Sequence, residues 1–190
     1  MVHRTITLVL LGVLAASVVR ADLQFDAKVA DYELEGMKLK QLVFSDGSGK
    51  KITYSPPAGW SWSGNAKKLT LWPNHVPQAS GTISRQALSQ PGAFDAESVK
   101  KLTESALAAV PNGSTEVTIV SQEKKPLIIE RKETFLVTLS YTFGGEKFGS
   151  STLFLNRGTE QVRFQFISRQ SDFNNLQRAF QGSQYSWQNL

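Results

Sequence analysis

The strongest constraint in this chain is a stretch where apolar side chains take every second position. Phe135, Val137, Leu139, Tyr141 and Phe143 alternate with smaller or polar residues, and Leu136 is the one apolar side chain out of phase. Successive side chains of a strand point to opposite faces, so a period of two predicts a strand with one face buried and the other less so, as in an antiparallel sheet. A helix would scatter the same five side chains around its circumference.

The flanking sequence extends the pattern. Strands are predicted over residues 115–122, 127–143 with a break near 130–133, 147–156 and 161–168, with reversals at Gly144-Gly145 and Asn156-Arg157-Gly158. Upstream, residues 39–45 and 50–55 form a hairpin about Asp46-Gly47-Ser48-Gly49, whose glycines accept positive φ. Short strands follow at 60–62, 69–72 and 81–88. Two helices complete the set. Residues 94–110 carry Val99, Leu102, Ala106 and Val110 on one face, with Asp95 as cap, Phe94 and Val99 as hydrophobic staple, and Pro111-Asn112-Gly113 as the stop. Residues 172–180 carry Phe173, Leu176 and Phe180, with Ser171 as cap and Gly182 as the end. The predicted fold class is α+β, a central antiparallel β-sheet of about six or seven strands with helices packed on its faces.

Residues 1–21 have the form of a secretory signal peptide: His3 and Arg4 at the start, an apolar run through Val19, and a cleavage site after Ala21. The run is too short for a stable membrane-spanning helix, so no span is expected after cleavage. Residues 22–190 then form one domain. Losing Arg4 and Arg20 lowers the basic count from 21 to 19 against 16 acids, and the net charge from +5 to +3. So small an excess does not favour nucleic acid. The lysine pairs at 50–51, 67–68, 100–101 and 124–125 are interspersed with acids and are expected to be solvated.

Several chemistries drop out on composition. There is no cysteine, hence no disulfide, thiolate nucleophile or lipid-bearing cysteine. His75 is the only imidazole after cleavage, no Gly-x-Ser-x-Gly string accompanies it, and no calcium-loop spacing occurs. No catalytic, cofactor-binding or metal-binding residue is assigned. Glu130 with Glu133, or Asp95 with Glu97, would be the carboxylate pairs of a cell-envelope hydrolase, the enzymatic alternative. The partner-binding candidates are Trp60, Trp62, Trp72 and His75. Trp60 and Trp62 share one strand face, where indoles stack on a sugar ring or an aromatic partner, or else fill a core.

Two local strings resemble the PsbP/Mog1-like superfamily. Ile52-Thr53-Tyr54-Ser55-Pro56-Pro57-Ala58-Gly59-Trp60 is similar to its strand, proline, Gly-Trp opening, and the strand through Val162, Phe164 and Phe166 followed by the helix Phe173 to Phe180 is similar to its ending. The resemblance implies an antiparallel sheet between helices. It further implies partner binding, since that superfamily holds photosystem accessory proteins, a small-GTPase-binding protein and exported bacterial proteins of unknown role; it transfers no functional residue. The expectation is an exported, non-enzymatic, macromolecule-binding domain, periplasmic or secreted. It uses no cofactor, and its partner is an envelope or extracellular protein or, alternatively, a glycan bound as by an aromatic carbohydrate-binding module.

Overall fold

The computed structural model describes residues 23–34, 37–46 and 50–190. The predicted signal peptide and residues 47–49 of the predicted hairpin turn lie outside them. Two antiparallel sheets and two helices make an α+β fold. The larger sheet has seven strands: β4 (Trp60–Gly64), β5 (Lys68–Pro73), β6 (Ser80–Ala87), β7 (Thr115–Ile129), β8 (Lys132–Phe143), β9 (Glu146–Asn156) and β10 (Glu160–Arg169), in the order β4-β5-β6-β10-β9-β8-β7. The smaller sheet runs β1-β2-β3-β11, from β1 (Leu23–Leu34), β2 (Met37–Asp46), β3 (Lys51–Tyr54) and β11 (Gln188–Asn189). The expected hairpin of residues 39–55 therefore exists as β2 and β3, but in a second sheet that the local pattern does not announce.

Helix α1 (Ala96–Ala108) lies on one face of the larger sheet. Asp95 caps it as expected, its carboxylate accepting from the Ser98 N–H at 2.8 Å. Leu102 and Ala106 pack on Phe135, Val137, Leu139 and Phe154. Helix α2 (Gln170–Gln184) and the smaller sheet share the other face. This helix is longer than its periodicity predicts: it begins two residues earlier and runs through Gly182. Ser171 is no cap either, since it lies inside the first turn and bonds the Asp172 carboxylate, and the capping position, Arg169, makes no side-chain cap bond.

The period-two stretch forms β8 as predicted, yet both of its faces are buried. Phe135, Val137 and Leu139 face α1, whereas Leu136 joins the opposite core and Thr134 and Thr138 are also buried. The out-of-phase leucine thus marks a second apolar layer. That layer contains Phe25, Phe44, Phe164, Phe180 and Trp187, with Trp187 stacked on Phe44 at 5.8 Å and edge-on to Phe164 at 5.3 Å. Helix α2 comes close to the sheet because Gly149 and Gly81 lie beneath it. A Cβ at Gly149 would run into the Phe173 ring, and one at Gly81 would sit 2.8 Å from the Phe180 ring.

Strand β7 runs on through residues 123–126, which lay between the strands predicted at 115–122 and 127–143, and the break expected near 130–133 is where it ends. It passes Pro126 through three register shifts against β8 and ends in a two-residue turn, Glu130-Arg131, with φ of 51° and 60°. Positive φ at both positions is what a tight hairpin turn requires, and non-glycine residues adopt it at a cost. A tertiary contact holds this one. Arg157 donates from Nε to Glu130 at 2.9 Å, from Nη1 to Glu160 at 3.0 Å and from Nη2 to Asn189 at 2.8 Å, tying the turn to the β9–β10 reversal and to β11.

Candidate functional site

The feature that looks most like a binding site follows from how α2 sits. The helix lies over β9 and β10, so on its side of the sheet β7 and β8 are left partly uncovered. Between the helix and β7 runs a groove made of two adjoining hollows, of about 280 and 590 Å³, which share Val120 and Gln170. Its floor is β8 from Leu136 to Thr142, about 20 Å of extended chain at 3.3 Å per residue. One wall carries four amide side chains, Gln170, Asn174, Gln177 and Gln181, which recur at helical spacing beside the apolar stripe of Phe173, Leu176 and Phe180.

The other wall is β7, which among the described residues is the outermost strand of its sheet and unpaired on its outer side. Val120, at 63% exposure, faces the groove, and Val117 and Ile119 beside it are also exposed. The hydroxyl groups here form cross-strand bonds. Thr118 and Ser140 are joined at 2.9 Å, and Thr142 donates to Glu116 at 2.8 Å. Glu116 and Glu123 supply negative charge, and Lys147 at one end has no ion-pair partner among the described residues. Tyr141, although part of the same strand, turns its ring to the α1 side, where it stacks on Phe148 at 5.7 Å and burial raises its pKa. A nearly charge-balanced channel with amides on one wall and exposed aliphatic side chains on the other suits an extended polypeptide.

The residues singled out from sequence lie elsewhere, at the opposite edge of the sheet. Trp60 is partly buried, stacked on Phe180 with ring centroids 6.0 Å apart and planes at 7°, and it also meets Phe166 at 5.8 Å. Trp62 pairs across the strands with buried Leu71 and packs on the same core. Trp72 pairs with Ser61, so it points to the other face, where it is 38% exposed. His75 is exposed in the turn beyond β5. The structure therefore sets Trp60 against α2 and Trp62 on the same core, and turns Trp72 to the other face.

Each carboxylate of the two suggested pairs has its own structural neighbour. Glu130 is held by Arg157, Glu133 by Lys125 at 2.6 Å, and Glu97 by Lys101 at 2.6 Å, while Asp95 caps α1. Among the described residues there is no group of three or more His, Asp or Glu side chains that could hold a metal, and no helix long and apolar enough to cross a membrane. Sequence reasoning overlooked the groove because its wall is an amide row, and amide side chains carry no catalytic signature. The spacing 170, 174, 177, 181 was nevertheless legible.

No family model matches the chain, and no curated protein does. Among solved structures it is similar to cyanobacterial PsbP (CyanoP) from Synechocystis sp. PCC 6803, at 11% identity and a TM-score of 0.52, over 92% of this chain and 96% of that one. A Pseudomonas aeruginosa protein of unknown function, PA94, is 16% identical with a TM-score of 0.47 over 83% of this chain and 94% of that one. At such identity the likeness to CyanoP concerns architecture alone. The chain has a PsbP/Mog1-like fold.

Proposed function

We propose that this chain is an exported, non-enzymatic accessory domain that holds an extended segment of a protein partner in the groove between α2 and β7. The single observation behind this reading is the amide row Gln170, Asn174, Gln177 and Gln181 facing exposed Val120 over a strand floor about 20 Å long. Amide side chains donate and accept at once, so they satisfy a peptide backbone of any sequence, while apolar contacts with Val117 and Val120 select side chains. The bulges and Pro126 in β7 discourage indiscriminate edge-to-edge pairing, which leaves the groove rather than the bare edge as the docking surface. Export rests on the leader-like residues 1–21, and residues 22–190 are proposed as a single working domain.

Display of random peptides against the purified protein tests the docking function. Enriched peptides are expected to slow hydrogen exchange in residues 117–121 and 136–142, and to lose at least about tenfold in affinity to the double variant Val120→Asp, Asn174→Lys. Failure to enrich any peptide, or equal binding by the double variant, would overturn it. N-terminal sequencing of protein recovered outside the cytosol is expected to begin at Asp22; an intact start on cytosolic protein would remove the export part.

A further inference from the structure

The opposite face of the sheet carries a second hollow, with different chemistry. It measures about 600 Å³ and lies beside the start of α1, between residues 86–95 and strand β10. Arg163 of β10 projects into it. The guanidinium lies 5.5 Å from the centroid of the Phe154 ring, and its Nη2 donates to the side-chain carbonyl of Gln86. Its Nε is buried with no hydrogen-bond acceptor, and its Nη1 has no acceptor among the described residues. Arg163 forms no ion pair there either. Glu160, on the same strand, is held by Arg157 at 3.0 Å and Arg85 at 3.7 Å.

A partly buried guanidinium without an anion is an unfavourable arrangement, and burial pulls the Arg163 pKa below its ordinary value. The remaining lining is polar and neutral near the cation, with Asn156 and Gln161 joined at 2.8 Å. At the mouth, Asp95 is occupied in capping α1 and Glu97 in pairing with Lys101, so neither neutralises Arg163. Lys101 lines the same mouth and offsets Glu97, so Asp95 is the carboxylate that opposes entry of a multiply charged anion. The volume is that of a small-molecule site.

We propose that this hollow binds a small ligand through a single carboxylate group, which accepts from the unbonded Nη1 of Arg163 while Asn156 and Gln161 take its polar body. The carboxylate is that of a free amino acid or of a peptide C-terminus. The inference is independent of the groove on the other face.

Titration of the purified protein, followed by amide NMR shifts, distinguishes the sources. The probes are glutamine, the blocked peptide acetyl-Gly-Gly-Gln, and inorganic phosphate. Expected is saturable binding of glutamine or of the peptide with a Kd below about 1 mM, with shifts in residues 86–98 and 156–163. Glutamine alone assigns a free amino acid, and binding of the blocked peptide assigns a C-terminus. Arg163→Gln is expected to weaken the binding at least about tenfold, and Arg163→Lys, which keeps the charge but not the planar fork, by several-fold. If Arg163→Gln does not fold, Arg163→Lys carries the test. Saturation by neither carboxylate, tighter binding of phosphate than of both, or unchanged affinity in whichever variant folds would overturn the assignment.

Discussion

The two faces of the seven-stranded sheet are covered in different ways. On the α2 face, a helix and a second sheet bury a continuous aromatic layer from Phe25 to Trp187, and among the described residues a strip along β7 and β8 is left open. On the other face a single helix covers a small patch about Phe135, Val137, Leu139 and Phe154, and the sheet beyond each end of α1 is indented, by the Arg163 hollow on one side and by an apolar one near Tyr141 and Phe148 on the other. One face thus supplies most of the stability, and the other has more surface free for ligands. The difference arises because hydrophobic stabilisation follows the apolar area removed from water, so the two-layer cover contributes far more than one helix.

Core substitutions on the two faces sharpen this contrast. Trp187→Ala removes the fully buried ring that joins Phe44, Tyr54 and Phe164, and is expected to cost about 3–5 kcal/mol in urea unfolding. Leu102→Ala, at the margin of the α1 patch, is expected to cost about 2 kcal/mol and to speed hydrogen exchange in residues 96–108 while leaving α2 unchanged. If Leu102→Ala costs as much as Trp187→Ala, or both helices loosen together, the two faces are not separate in stability.

A third expectation concerns pH, and again belongs to the α2 side. Burial raises the Tyr54 phenol well above its ordinary pKa of 10.0, partly offset by the hydrogen bond with Ser183 at 2.7 Å. A group whose folded pKa is raised stabilises the fold fully below its unfolded pKa and loses that contribution as pH rises. Stability should therefore fall above about pH 10, by about 1.4 kcal/mol per pH unit at most from this group. Urea midpoints measured across that range check it, and Tyr54→Phe should flatten the decline. An equal decline in Tyr54→Phe would assign it to other groups.

How much of this was legible depended on whether the signal was local. The Gly144-Gly145 turn could be read directly, because glycine takes positive φ freely, and both residues do. The Glu130-Arg131 turn makes the same kind of reversal without glycine, stabilised by Arg157 from a strand connection 27 residues away, so only the break near it was readable. Asp95 was recognisable as a cap because capping is satisfied within one turn. The start of α2 at Gln170 was missed because no side chain caps it; packing of Phe173 over Gly149 fixes the helix instead. The Trp60 and Trp62 pair could be placed on one strand face, but whether that face met solvent or Phe180 was decided by α2, more than a hundred residues later.

From the sequence alone came the alternation that makes β8, the helix cap, the glycine turns and the α+β class, all of which rest on contacts within a few residues. The tertiary structure decided the division into two sheets, the burial of both faces of β8, the groove beside α2 and the unpaired cation at Arg163. Those depend on which surfaces meet, and residues far apart in the chain have no short-range pattern to announce it.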